Sequence, residues 1–557
     1  MGLGLALLLG LPAPAHAFVL ETDRLWTIGA SAFEDGLYDQ AYRALGQFLA
    51  LGLHDARRGD AAIIRGKAAL ALGRVDDALG LFQLAEALPT QVVPTGEVLF
   101  WEAEALFRLS RFGEARERYG RFLASAPASP YAPDALFGRA QCELQLDQAA
   151  AAIETFQALV AQYPRHRLAA GAAYSAALEL VRTRRWDDAL TLLETYGGRY
   201  PTSPALVESR YLLGVSLVEK GRSAEGIRVL ESFLTVAPKH DLAAPARMLL
   251  ADTYARTGRS RNAIAQYQLL LKSPGSSALA AQALYQIGEL SRKLGATTDA
   301  ESAWQTLRRD YPRDPLAADA GLALVELEQD RRQFVRATAL AREVAERGGP
   351  RRIEALLLVG DSAVAVGDLR DAEQGYRGAL AEAVAGSPEA RRAAGGLLVL
   401  GERHVKASRM ADAARVYGEV ADRTEAGTDL QLRAVAGTGL MAETRGDLEE
   451  ARRRYREIAT ASADGELVRW AEGRLRNLEG TGFPQTNPPG TTAGAPAASA
   501  PIAPPVSPPA PPTSVPVPDS SVAPAAPAPT LLPSPTPIPP ATIPSDAAAT
   551  VQTGEGS

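Results

Sequence analysis

The chain has 557 residues, 46% of them apolar but only 6% aromatic, and a formal net charge of −6. That length can bury a large core, and the near balance of charge excludes a broad basic surface for phosphates, so nucleic acid is not an expected partner. The single cysteine, Cys142, excludes an internal disulfide framework and a thiolate metal cage.

The first element is MGLGLALLLGLPAPAHA, a short apolar run broken at Pro12 and Pro14 and ending in the small-residue pattern Ala15-His16-Ala17. It reads as a secretory signal, residues 1–17, cleaved before Phe18. Its start carries no Lys or Arg, and no cysteine follows the cleavage position, so export without a lipid anchor is expected. No later apolar run approaches the roughly 20 residues needed to cross a bilayer. A periplasmic protein is therefore expected, with outer-membrane association limited to peripheral contact.

From there the chain is periodic. A small marker residue, Ala41, Ala78, Ala115, Ala152, Ala189, Gly226, Ala263, Ala300 and Ala337, returns every 37 residues, and Ala372, Ala413 and Ala451 continue the series less regularly. Twelve residues before the marker stands another small residue, from Gly29 through Gly214 and Gly288 to Gly439, with Val325 the exception. Four residues after it stands a bulky one, such as Leu45, Tyr119, Leu230, Trp304 or Tyr376, with Ala341 the exception. Small residues let two helices approach and bulky ones fill the space beside them, so each unit is expected to be a helical hairpin. Gly36, Gly73, Gly221, Gly258, Gly295, Gly367 and Gly446 fall at the turn inside a hairpin, where a left-handed residue is favoured.

Prolines punctuate the repeats. Pro127, Pro164, Pro201, Pro238 and Pro312 fall twelve residues after the marker, where they end the second helix of a hairpin. Ser129, Ser203 and Asp314, each followed by proline, are expected to cap the first helix of the next.

With these registers, segments such as YLLGVSLVEKGRSAEGIRVL and LADTYARTGRSRNAIAQY resemble the tetratricopeptide repeat (TPR) family, over about residues 24–463. The usual period of that family is 34. Because only two residues separate the paired prolines, the three additional residues are expected to lengthen the first helix. The long form with YP and SP punctuation looks most like the periplasmic and outer-membrane-associated branch, of the Tol-Pal-associated cell-division coordinator and β-barrel assembly TPR lipoprotein type. The resemblance implies an all-α solenoid of about twelve hairpins over residues 18–480, closed by the helix ELVRWAEGRLRNLEG.

Beyond it the composition changes: 22 of the 39 prolines lie in 481–557, where only Asp519, Asp546 and Glu555 carry side-chain charge. This Pro/Ala/Ser/Thr-rich tail cannot bury a core and is expected to be disordered.

No catalytic constellation emerges. Gly66-Lys67 lacks the upstream glycine and following hydroxyl of a P-loop. Asp76-Asp77 and Asp187-Asp188 precede a marker, where acids favour the positive end of a helix dipole. His166 and His240 share the cap register two repeats apart, which separates them by well over about 10 Å, the width of one helix. Cys142 suits a small packing residue of a first helix. No enzyme activity, cofactor or metal is expected.

What remains is a surface, and the resemblance implies a concave face lined by the first helix of each hairpin. Fifteen residues before the marker stand Trp26, Phe100, Phe137, Tyr174, Tyr211 and Tyr285, together with Ile63 and Met248. Eleven before it, the later repeats carry Asp252, Glu289, Glu326, Asp361 and Glu402 in unbroken succession. Asp252 with Arg256 and Glu402 with Lys406 have the i,i+4 spacing of helix ion pairs. Like charges along one groove favour a partner segment carrying Lys or Arg. The expected function is a non-catalytic scaffold that binds proteins or peptides in the bacterial cell envelope, in envelope biogenesis or cell division. An accessory scaffold for polysaccharide or protein secretion is the alternative, and a lytic-transglycosylase-like enzyme would need a catalytic domain for which the repeats leave no room.

Overall fold

A computed structural model describes residues 13–51, 54–88, 90, 96–273, 276–461 and 465–480. Among them lie 25 α-helices and no strand, from Ala13–Glu34 to Glu466–Gly480. The first 24 pair into twelve hairpins, one for each marker, and the last closes the series. The helix Ala13–Glu34 runs through the expected cleavage position. Most of the expected signal sequence, residues 1–12, and the whole of the expected tail, 481–557, lie outside the described residues.

The described chain divides into two compact bodies, one running to Thr253 and the other starting at Tyr254. Within each, consecutive helices pack side by side, and the first helices of successive hairpins also touch one another. That second set of contacts makes the first helices the inner row of each body.

The registers explain the packing. Eleven of the twelve markers are alanines with no exposed surface, and the bulky side chains four residues on, such as Tyr119 and Trp304, are equally enclosed. A Cβ added at Gly360 would stand 2.5 Å from the Tyr376 ring, and one at Gly396 2.6 Å from it. Tyr376 is thus clasped between its own hairpin and the next, and Gly401 and Gly437 hold Tyr417 in the same way. In the ninth hairpin the sizes are exchanged: Val325 takes the small register, Ala341 the large one, and both are fully buried. Total volume is conserved, which is what a core tolerates best.

The expected left-handed turn is present in all twelve hairpins. Seven use the glycines named above, and five place Ser110, Asp147, Arg184, Arg332 and Ser408 at φ between 56° and 60°. A side chain in this conformation costs roughly 1–2 kcal/mol. After allowing for the extra freedom glycine gives the unfolded chain, Arg184→Gly should gain about 0.5–1 kcal/mol, whereas Gly221→Ala should lose about as much. Denaturant midpoints that failed to move in opposite directions would contradict this account of the turn.

One expectation is corrected. In the eighth hairpin the first helix, Ser277–Lys293, does have 17 residues against 14 in Thr297–Asp310, but in the sixth it is not lengthened: Leu206–Glu219 and Ser223–Val236 each have 14 residues, joined by the turn Lys220–Arg222. The additional residues lie in the connector Ala237–Leu242, which precedes the next helix at Ala243. The residues before the terminating prolines, including Tyr200 and Ala237, leave the helical region at φ near −130°, because a following proline disfavours it. The chain then makes a further turn before the next helix begins. Ser203 Oγ accepts the N–H of Ala205 at 3.2 Å and Asp314 Oδ1 that of Leu316 at 2.9 Å, so these residues brace the turn before the next helix, but the expected caps do not form, since the capping positions are Ala205 and Pro315.

Candidate functional site

The aromatic register is largely consumed by packing. Phe100 is fully enclosed among Trp101, Tyr119, Phe122 and Tyr131, with ring centroids 4.8–6.1 Å apart. Phe137 packs edge-on to Phe156 at 5.5 Å, Tyr211 lies 6.0 Å from Phe233, and Tyr174 is buried, as are Ile63 and Met248. Two members keep accessible surface. Trp26 is half-buried against Phe48, with the Arg57 guanidinium 5.5 Å from its ring centre. Tyr285 is half-buried, its hydroxyl pushed up to about 12 by burial and by the nearby charges of Glu289, Asp319 and Glu326.

The acidic register sits on the inner helices of the second body, apart from Asp252, a half-buried residue at the end of the first. Glu289, Glu326, Asp361 and Glu402 lie on Ser277–Lys293, Leu316–Asp330, Arg352–Val366 and Pro388–Lys406, inner helices that touch in succession. Glu326 and Glu402 are exposed, while Glu289 and Asp361 are half-buried. Burial holds the Glu289 carboxyl above its ordinary range, Arg292 and Lys293 oppose this, and the charge of Glu326 adds to it.

These carboxylates differ in how far they are committed. Glu326 accepts from Arg292 at 2.7 Å, a bridge between neighbouring hairpins. Asp361 is bridged by Arg392 of the next hairpin and accepts the Tyr376 hydroxyl at 2.5 Å. Glu402 makes no ion pair among the described residues, so the expected bridge to Lys406 does not form. For Glu326 and Asp361, charge pairing therefore runs between hairpins.

The Tyr376–Asp361 bond exposes a use of the register that the sequence reading missed. The bulky residue four after the marker can be a tyrosine, and in the tenth hairpin its hydroxyl meets the residue eleven before the marker, whereas in the twelfth Tyr455 donates to Glu443 instead. The third hairpin does the same with a buried acid: Tyr119 donates to Glu104 Oε1 at 2.5 Å, and Glu104 Oε2 has no hydrogen-bond partner. Counting back from Ala115 would have found Glu104, had the register been followed into the early repeats. The second hairpin places Lys67 there, buried 3.7 Å from Glu97 with its amine 4.7 Å from the Trp101 ring centre.

The remaining polar residues are structural. Asp76, Asp77, Asp187 and Asp188 occupy first helical turns, as expected. His166 and His240 accept the N–H two residues on through Nδ1, and their other nitrogens face Asp134 at 3.9 Å and Glu208 at 3.3 Å. Cys142 is buried, its thiol pushed up to about 12 mainly by burial, far from the range of a nucleophilic thiolate at neutral pH.

Comparison with protein families matches residues 129–333 to an outer membrane lipoprotein model, YfiO, and residues 27–92 and 398–466 to a tetratricopeptide repeat model. Comparison with curated proteins gives no match. Among solved structures, the chain is similar to the Naa15/Naa10 complex bound to HypK at 15% identity and a TM-score of 0.36, covering 82% of this chain and 66% of that one. A TPR protein from Cytophaga hutchinsonii matches at 15% identity and a TM-score of 0.36, over 48% of this chain and 99% of that one. Pseudomonas aeruginosa pilF matches at 17% and 0.30, over 40% and 95%. Residues 27–92 and 398–466 are thus tetratricopeptide repeats, and the hairpins between them keep the same small and bulky registers.

Proposed function

We propose that this chain is a non-catalytic scaffold of the bacterial cell envelope, which holds a basic or amphipathic segment of a partner protein against the inner helices of its second body. The observation that carries the reading is the register Glu289, Glu326 and Glu402, acids on inner helices that touch in succession, of which Glu326 and Glu402 are exposed. TPR repeats serve as surfaces for other proteins, and inner helices provide the side chains. Asp361 contributes to the fold rather than to the partner, because Tyr376 and Arg392 occupy its oxygens. Tyr285 adds apolar area beside Glu289. Envelope location is supported by the likeness of residues 129–333 to an outer membrane lipoprotein model and by the apolar N-terminal run. No described helix is long and apolar enough to cross a membrane.

The test replaces Glu289, Glu326 and Glu402 together by glutamine. Exposed pairs contribute little to stability, so melting should hardly change. A Lys/Leu amphipathic peptide should bind the triple variant about tenfold more weakly at low salt, and added salt should weaken it far less than wild type. The control changes Asp77, Glu114 and Asp188, acids at helix starts, and should keep wild-type affinity. A tagged full chain should be recovered with the envelope fraction of its own cell. Equal binding by the triple variant at every salt concentration would rule out the acidic face, and recovery in the cytosol would rule out the location.

A further inference from the structure

A second polar site lies in the first body, on a different side of the hairpins. A cleft of about 360 Å³ opens between the helices Trp186–Arg199, Leu206–Glu219 and Ser223–Val236. Arg210, Leu213 and Leu217 line it with i, i+3, i+7 spacing, which puts them on one stripe of their helix. Val215, the residue of the acidic register in this hairpin, falls on the opposite side of the same helix and is buried.

Three guanidinium groups surround the cleft, and they are not equivalent. Arg222 is held by Glu194 at 2.7 Å and by Glu225 at 2.7 Å, so its charge is spent on fixing the wall. Arg210 and Arg228 line the same cleft and make no ion pair or hydrogen bond among the described residues. Leu213, Leu217 and Val229 supply an apolar wall between them. The cleft therefore joins two cations without an ion pair among the described residues to aliphatic surface, with its two carboxylates bonded to Arg222 and Arg228 acting on Glu225 through its charge alone. Phosphate or sulfate would use the cations and waste the apolar wall.

We propose that this cleft is a docking site for an acidic, aliphatic peptide segment of a partner protein, with one Asp or Glu carboxylate held by Arg210 and Arg228 and a neighbouring aliphatic side chain against Leu213, Leu217 and Val229. Guanidinium pairs carboxylates in forked geometry, and the apolar contact gives the segment a preference over a bare anion. The site is opposite in charge preference to the acidic face and does not depend on it.

The test uses the full chain and a labelled Leu/Glu peptide, with a Leu/Gln peptide of the same length as its control. Wild type is expected to bind the Glu peptide at least tenfold more tightly than the Gln peptide at low salt. Arg210→Gln with Arg228→Gln should remove most of that difference without changing the helical circular dichroism signal. Glu289→Gln, Glu326→Gln and Glu402→Gln should leave it intact, which separates this site from the acidic face. Leu213→Ser should weaken the Glu peptide while inorganic phosphate at equal concentration competes poorly. Equal binding of both peptides, unchanged affinity in the double arginine variant, or full displacement by phosphate would each overturn the proposal.

Discussion

Glutamine in place of Glu104 is expected to raise stability at pH 8 by about 3 kcal/mol and to leave it nearly unchanged at pH 4.5. Glu104 is enclosed, and burial is the largest influence on its carboxyl, pushing it from 4.5 to about 7. The Tyr119 hydroxyl and the Arg108 charge work in the opposite direction, and Asp134 adds slightly to the rise. Since the folded value is raised, folding takes up a proton between about pH 4.5 and 7. The protonated side chain fits its site below pH 4.5, stability then falls as pH rises through 7, and it is flat above. Glutamine keeps the shape and an oxygen for Tyr119 but never ionises. Other buried groups, such as Lys67 with Glu97, titrate equally in both proteins, so the difference between them isolates Glu104. Denaturant midpoints at pH 4.5, 6 and 8 measure it, and parallel pH curves for the two proteins would refute the assignment.

Leucine at Gly288 is expected to cost about 1–3 kcal/mol by overpacking the eighth hairpin. Even a Cβ there would stand 2.1 Å from Trp304 Nε1. Trp304 is fully buried beside Ala300 and Leu307, so its ring has no room to retreat. Gly214→Leu should behave alike in the first body, where the added Cβ would meet Leu230 Cδ2 at 2.6 Å. Gly395 is the contrast: it lies inside the helix Pro388–Lys406 with nothing within 4 Å of an added Cβ. There leucine should gain a few tenths of a kcal/mol from helix propensity, with about 1 kcal/mol as the upper bound. Because each hairpin shares its interfaces with its neighbours, hydrogen exchange should quicken beyond the mutated hairpin. Unchanged melting of Gly288→Leu and Gly214→Leu would mean that the small register does not set the helix spacing.

The hairpin itself was legible in the sequence because its determinants are local in spacing. A marker alanine, a small residue twelve before it and a bulky one four after it specify which faces of two helices meet, whatever surrounds them. Even the exception was informative, since Val325 and Ala341 depart together and exchange sizes. The left-handed turn was read from seven glycines, and the five hairpins without glycine adopt it too, because the packing of the two helices over-determines the turn. The same reading misjudged the connector. Proline spacing shows where a helix stops, but the distance to the next helix depends on how far the chain must travel between packed layers.

Binding residues were less legible for a related reason. An aromatic at a fixed register can face a partner or a neighbouring hairpin, and sequence periodicity is the same in both cases. The second helix of their own hairpin encloses Phe100 and Tyr211, whereas part of Trp26 and Tyr285 stays accessible. Likewise, five acids in one register look equivalent until Tyr376 and Arg392 engage Asp361 while Glu402 is left unpaired. Sequence alone determined the fold, the period and the number of hairpins, since those follow from side-chain size at short, regular intervals. Only the tertiary structure decided which carboxylates and aromatics remain available, because burial and pairing are set by side chains that meet across hairpins some 30 to 40 residues apart, as in Arg292 with Glu326 and Arg392 with Asp361.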